Sequence, residues 1–401
     1  MADRRSPSRR EWLGVCAGTT GITMLAGCSS ADETDDEDTD SSDGGVLEFD
    51  DDSSGDWPMF GADLQNTGYQ PDGDGPVEDV EVRWRLEGGD SFVSSPAVVD
   101  GTVYAGCRDG YLYAVDAETG STEWAVELNK RITPPPTVID GIVYVSSHGV
   151  PNKLHALEAD SGEQLWEEEL ENTTQTPVPY GDNLYVFYPG WLLSIDRKSG
   201  ESSVLFKDYG RTPDLPAIAD GMVFGGGSHS FVAYNIERQE LKWEFENENS
   251  DFMSEATPAI SNETVYVGSG DTKLYAIDIQ DGGEKWSFKT ERPISAGPSI
   301  VDDNVYLPAR DGHVYSIDKD TGEEEWSTDY ELRLQQKPVV TDNMIYFVDG
   351  KTLHGLNRDD GGQQWSFTPD EDETIGGTVA VSDGVIYLPS RDHHLYALEE
   401  S

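Results

Sequence analysis

The chain is poor in cysteine, in lysine and in long apolar runs, and each shortage removes a class of protein. Three cysteines, Cys16, Cys28 and Cys107, are too few for a disulfide framework, and no Cys-x-x-Cys pair is present to hold zinc or attach a c-type haem. Cys107 falls at the end of an expected strand, where a small buried hydrophobe is its ordinary role. The apolar stretch of residues 15–27 is too short for a spanning helix, which needs ~20 apolar residues. Lysine and arginine number 27 against 78 acidic residues, a formal charge of -51, and only 11 of the 27 are lysine. Such a field repels nucleic acid and anionic lipid and strains the compact state by self-repulsion. Salt relieves that strain, because the screening length falls from ~10 Å at 0.1 M to ~3 Å at 1 M. The composition therefore points to a protein adapted to high salt, of haloarchaeal type.

Residues 1–27 read as a targeting segment rather than as structure. Arg4, Arg5, Arg9 and Arg10 form a basic start. The run from Ser8 to Gly14, with Arg9 and Arg10 at its centre, resembles the twin-arginine export signal, although Trp12 stands where Phe is usual and Gly14 where Lys is common. Leu25-Ala26-Gly27-Cys28 resembles a lipobox, which would leave Cys28 as a lipidated N-terminus on the outer face of the cell membrane. One acyl chain alone would need a second anchoring element. From Ser29 to Asp56 there are 13 acidic residues and no basic one, so residues 28–56 are expected to be an extended, disordered tether.

The remainder, residues 57–401, is repetitive. Trp84, Trp124, Trp166, Phe206, Trp243, Trp286, Trp326 and Trp365 follow one another at intervals of 40, 42, 40, 37, 43, 40 and 39 residues. Pro96, Pro136, Pro177, Pro216, Pro258, Pro298 and Pro338 mark the unit starts, with Val379 in the eighth place. In the first unit, Pro96 to Val99, Thr102 to Gly106, Tyr111 to Asp116 and Thr122 to Leu128 read as four half-buried strands A, B, C and D. Asp100-Gly101 supplies the positive-φ turn between A and B. Four strands per ~40 residues is the unit of a propeller blade. The eighth unit ends before its Trp strand, and the segment Val80 to Leu86, carrying Trp84, can supply it and close the ring without a free edge. The expected fold is an all-β, eight-bladed β-propeller.

Ala114-Val115-Asp116-Ala117-Glu118-Thr119-Gly120 up to Trp124, and Ser316-Ile317-Asp318-Lys319-Asp320-Thr321-Gly322 up to Trp326, resemble the signature of the PQQ-like repeat family. Trp57-Pro58-Met59-Phe60-Gly61 and Asn66-Thr67-Gly68 look like the segment that often precedes its first blade. The resemblance implies that the eight aromatic residues pack between neighbouring blades. WD40 repeats are set aside because no Trp is followed by Asp. The family also contains quinoprotein dehydrogenases, which the resemblance describes as longer, with inserted loops, a vicinal cysteine pair and a calcium site of Glu, Asn and Asp. This chain has tight loops and Cys107 alone after residue 28. It is closer in plan to the barrel-assembly-machinery lipoprotein B family, whose members are scaffold propellers, and fold alone confers no activity.

Candidate chemistry is sparse. The run from Asp318 to Gly322 mimics a calcium loop but lacks the closing Glu and recurs as a turn, so no metal site is expected. His148, His229, His313 and His393 fall near B–C turns a quarter-turn apart, and His155 and His354 replace core tyrosines. No nucleophile motif accompanies Ser, His and Asp. The expected function is non-enzymatic binding or scaffolding by a monomer, with an extracytoplasmic protein or small anionic ligand as partner, no nucleic acid and no PQQ or other cofactor. The alternative is a PQQ-binding oxidoreductase. Asn172 and Asn262 open glycosylation sequons. The candidate binding face comprises Arg108, Arg310 and Arg391 in B–C turns and Arg131, Arg211, Arg292 and Arg333 in D–A links, joined by Lys337 and Lys130. Arginine's forked donors suit carboxylates. Local neutralisation within Arg108-Asp109, Arg310-Asp311 and Arg391-Asp392 is the competing reading.

Overall fold

The computed structural model describes residues 56–71, 75–128, 130–170, 175–188, 191–207, 215–226, 230–246, 256–330, 333–369 and 373–401. The export signal with Arg9 and Arg10, Cys28 and the acidic tether lie outside them, as do Arg211, Asn172 and His229, together with the side chain of Phe206.

Regular structure among these residues is strand throughout, arranged as eight four-stranded antiparallel sheets. Blade 1 is built from Ala97–Val99, Thr102–Gly106, Tyr111–Asp116 and Thr122–Glu127, ordered A-B-C-D from the inside outwards. Blades 2 to 7 repeat this plan over 137–170, 178–207, 217–245, 259–289, 299–329 and 339–367. Blades 3 and 4, whose sequence repeat is weakest, keep all four strands. In blade 8, strands Ala380–Ser382, Val385–Pro389 and His394–Glu400 are completed by Val80–Glu87, which pairs antiparallel with His394–Glu400. The first strand thus closes the ring.

The A–B turns of blades 1, 2, 4 and 8 are Asp-Gly pairs with both residues at positive φ, as the sequence requires. Asp100 and Gly101 have φ of 51° and 74°, the left-handed conformation of a two-residue hairpin. Strands B and C, expected to be half-buried, are instead buried on both faces. In blade 1, Val103 and Ala105 pack into the cluster shared with blade 8, while Tyr104 faces the cluster shared with blade 2. Blades stacked face to face leave only strand D with an exposed alternation, as in Thr122–Glu127. The pairing of C with D shifts by one residue just ahead of the tryptophan, between Ala114 and Val115 in blade 1 and at the matching place in blades 2 and 4 to 7, whereas in blade 3 it falls two residues earlier, between Leu192 and Leu193. Such a bulge re-aims the side chain that follows it.

That side chain docks on the next blade. Trp84 Nε1 donates to Ala117 O at 2.9 Å, Trp124 to Ala159 O at 2.7 Å, and Trp286 to Lys319 O at 2.8 Å. Trp166 and Trp243 donate likewise to Arg197 O and Ile279 O. The Trp326 ring lies against Gly361, and Trp365 donates to Pro76 O at 3.0 Å, where blade 8 has no C–D turn of its own. Gly120 has φ of 72°, and a Cβ there would stand 2.7 Å from the Trp84 ring. The Thr-Gly turn and the Trp are therefore two halves of one contact, made between successive blades.

Residues 57–70 form a strap around the inside of the ring. Trp57 exchanges both backbone bonds with Val98 of blade 1. Pro58 O accepts from Val138 N of blade 2, and Met59 packs with Val178 of blade 3. Leu64 O, Gln65 O, Thr67 O and Gly68 O accept from Ile218, Ile260, Ile300 and Val340 of blades 4 to 7. Gln70 Nε2 reaches Val381 O of blade 8. The inner edges of all eight blades are thus touched in order. Asn66, fully buried, spans two blades by donating to Pro216 O and Pro258 O at 3.0 and 3.2 Å.

Candidate functional site

Antiparallel strands put the B–C turns and D–A links on one face and the A–B and C–D turns on the other. The strap lies towards the second face, where Asp56 accepts from Asp100 N and Tyr69 Oη donates to Asp342, both in A–B turns. On the first face the channel opens as a cavity of about 510 Å³, underlain by the strap, which lends it Phe60. Its wall is made of the residues that lead into strand A, such as Ser95, Thr176, Thr257 and Thr378.

Lys337 is corrected by this geometry. It was expected on the exposed basic face, but it is only 4% exposed and lies in the cavity wall. Its Nζ donates to Pro298 O in the neighbouring blade. Burial pushes the ammonium down to about 7, against the opposing pull of Asp63 on the strap. Burial likewise raises the carboxyl of Asp63, although Thr67 donates to it through its backbone N and Oγ1. Lys337 joins blades 6 and 7 to the strap. A chain-local reading of "link before strand A" could not distinguish this inward residue from its outward neighbours.

Arg131, Arg292, Arg333 and Arg391, with Lys130, are exposed on the cavity face, and Arg108 is half-exposed. None of these four exposed arginines nor Arg108 has an ion pair among the described residues. Arg310 Nε donates to Ser295 Oγ at 2.8 Å, which ties it to the cavity wall. The neighbouring aspartates are engaged elsewhere. Asp109 accepts from Gly89 N, Tyr111 N and Tyr113 Oη, Asp311 from Glu291 N, His313 N and Tyr315 Oη, and Asp392 from His394 N and Tyr396 Oη. These carboxylates brace their own turns. The opposite face differs: Arg197 pairs with Asp140 at 2.5 Å, Arg358 with Asp302 at 2.8 Å and Arg238 with Glu240 at 3.9 Å.

The remaining candidates have structural partners. His148 receives or gives a bond with Thr133 Oγ1 at 2.6 Å, and burial, then Arg131 and Arg108, lower its pKa. His155 bonds Ser147 and Gln164 in the core, and His354 bonds Asp349 and Gln363. Cys107 is fully buried, and burial pushes its thiol up to about 12, so the thiolate that reactive chemistry needs is suppressed. Asp318 Oδ1 accepts from Asp320 N, Thr321 N and Thr321 Oγ1, the bonding of a turn rather than of a cation loop. Asn262 is exposed at an A–B turn of blade 5.

PQQ, which the wider fold family implies, is a tricarboxylate quinone, and the cavity does not fit it. Among the described residues no arginine lines the cavity, its one ammonium is committed to Pro298 and faces Asp63, and no carboxylate is there to hold calcium.

Comparison with known proteins agrees with the architecture. The chain is 24% identical over 224 residues to the outer membrane protein assembly factor BamB of Shewanella oneidensis, covering 51% of this chain and 55% of that protein. It is 26% identical over 232 residues to the BamB of Moranella endobia, covering 50% and 58%. The chain thus spans little more than half the length of these relatives. Among solved structures, BamB from Moraxella catarrhalis matches with a TM-score of 0.66 at 18% identity, over 80% of this chain and 100% of that one. A quinohemoprotein alcohol dehydrogenase from Pseudomonas putida matches with a TM-score of 0.72 at 12% identity, over 86% and 80%. Both structural likenesses are likenesses of fold. The family model described as outer membrane protein assembly factor BamB matches residues 77–203, 202–293 and 280–401, and the chain belongs to that family of PQQ-like repeat propellers.

Proposed function

We propose that this protein is an exported, membrane-tethered propeller that acts without catalysis, as a binding or scaffold protein whose B–C/D–A face engages an acidic partner. The observation that carries this reading is the division of cations between the faces. On the strap side Arg197 and Arg358 are paired across blades and Arg238 within its own turn, whereas Arg131, Arg292, Arg333 and Arg391 stand exposed with no ion pair among the described residues. In a chain of charge -51, cations left without a carboxylate partner are available to one from outside. Cys28 would carry the lipid that holds the protein on the outer face of the membrane, with residues 29–56 as spacer. Membership of the BamB family supports a scaffold role, with the partner read from this face rather than from the relatives' names.

Capture by wild-type protein from intact membranes in high salt tests the reading. Replacing Arg131, Arg333 and Arg391 by Gln is expected to abolish capture at unchanged melting temperature, while replacing Arg197, Arg238 and Arg358 leaves capture intact. Retention of the partner by the first variant would refute the assignment of the face. Cys28→Ser is expected to release the protein from membranes or leave it unprocessed. A quinone-dependent oxidoreductase is the second reading, favoured by the fold it shares with quinohemoprotein alcohol dehydrogenases. Addition of PQQ and calcium followed by gel filtration is expected to leave no quinone absorption with the protein. Stoichiometric retention would reverse the order of the two readings.

A further inference from the structure

We propose that the channel cavity is a binding site for an uncharged, hydroxyl-rich small molecule of about the size of one or two sugar rings. The inference rests on the reading of the protein as a binding protein and adds the ligand class for the centre of the same face. Its first support is what the wall leaves out. The chain is 26% charged, yet of the 19 described residues that line the cavity Lys337 alone is a lysine, arginine, aspartate or glutamate. That ammonium is turned to Pro298 O and opposed by Asp63, so it is part of the frame.

What the wall contains is equally selective. Nine of the 19 are Ser, Thr or Gln. Hydroxyls and primary amides both donate and accept, as do the hydroxyls of a polyol, whereas a carboxylate ligand offers acceptors only and would want arginine. A metal ion would want carboxylates, and the described lining has none. Phe60, Pro134, Pro135 and Leu215 add apolar surface of the kind that the C–H face of a sugar ring covers.

A second, independent support is an unsatisfied atom. Gln336 lines the cavity, and its Oε1 is buried without a hydrogen-bond partner. A buried acceptor left in that state is costly, and a turn of the Gln336 side chain towards the cavity would let a ligand hydroxyl satisfy it. Ser295 Oγ, which receives Arg310 Nε, and Thr133 Oγ1, which meets His148, are already held in fixed directions by their neighbours. Part of the wall is thus oriented before any ligand arrives.

The test uses glucose, trehalose and N-acetylglucosamine as probes, with glucuronate as the charged control. Binding is followed by saturation-transfer NMR and calorimetry on the mature protein in molar KCl. At least one neutral probe is expected to bind and glucuronate to bind more weakly. Gln336→Leu and Thr257→Val are each expected to weaken binding about tenfold, the equivalent of one lost hydrogen bond. Near-ultraviolet circular dichroism checks that both variants are folded. Failure of all three neutral probes, tighter binding of glucuronate, or unchanged affinity in both folded variants would overturn the proposal. The Arg131, Arg333 and Arg391 variant keeps sugar binding if both readings hold. Partner capture without sugar binding would sink the cavity alone, and sugar binding that survives with capture unaffected by the arginines would sink the face alone.

Discussion

At Gly322 two requirements meet in one residue. Its φ of 74° favours glycine, and a Cβ there would stand 2.7 Å from the Trp286 ring of the preceding blade. Gly101 has the same φ and nothing within 4 Å. Gly101→Ala is therefore expected to cost about 1–2 kcal/mol of left-handed strain. Gly322→Ala adds an overpacking penalty of about 1–3 kcal/mol. The difference in unfolding free energy between the two variants measures the tryptophan contact, and equal losses would mean the ring moves aside freely. Lys337 supplies a pH prediction at the same scale. Its ammonium is held down to about 7 in the folded protein against an ordinary value of 10.5. Below pH 7 it is charged in both states, and its burial penalty is fully present. As pH rises from 7 towards 10.5 the unfolded chain binds the extra proton, so this group's contribution to stability increases with pH. Lys337→Met is expected to flatten the rise in melting temperature over that window. An unchanged pH slope in the variant would show that the ammonium is solvated.

The strap is the element that ring closure needs and that a blade repeat does not announce. Each of its backbone bonds contributes about 1 kcal/mol, and Asn66 stands for two carbonyls of neighbouring blades. Asn66→Ala leaves Pro216 O and Pro258 O without that donor and is expected to cost about 2–3 kcal/mol, read as a fall in denaturation midpoint. Removing residues 56–71 is expected to leave the sheets in place but to expose the amides of Val138, Ile218, Ile260, Ile300 and Val340, which donate to the strap. Hydrogen exchange would show these five accelerated together, ahead of amides in strands B and C. Unaltered protection at all five would contradict the docking of the strap in solution. The velcro strand Val80–Glu87 has a different role, since it removes a sheet edge from blade 8. A chain starting at Ser91 lacks both and is expected to associate through that edge, visible as oligomers in size exclusion.

For the molecule as a whole the governing quantity is charge. Acidic residues outnumber basic ones by 78 to 27, and the strap-side face compensates by pairing its cations across blades, as in Arg197 with Asp140 and Arg358 with Asp302. Exposed pairs of this kind contribute little individually, about 0–1 kcal/mol. Screening by salt must do the rest. The near-ultraviolet signal of the propeller is expected to be lost below a few tenths molar KCl and regained in multimolar salt, as the screening length falls to ~3 Å. A melting temperature independent of salt would remove the halophilic reading.

The blade repeat was legible because its causes are local. Tryptophan spacing, Asp-Gly turns and the Thr-Gly glycines are set by backbone conformation and by contacts that recur once per unit, so eight blades and the closing strand around Trp84 could be counted along the chain. The same count assigns each link of an up-and-down blade to a face, and with it the described arginines, while Arg211 lies outside the described residues. Three things were decided only by tertiary structure. Burial of strands B and C on both faces arises from blades stacking on one another, and a strand read alone shows only its own alternation. The path of residues 57–70 depends on carbonyls meeting amides in six blades far apart in sequence, from Val98 to Val340, and leaves no periodic mark. The inward turn of Lys337, and the gathering of hydroxyls and amides from separate links into one nearly uncharged cavity, come from closure of the ring, which brings together residues that no spacing in the chain relates.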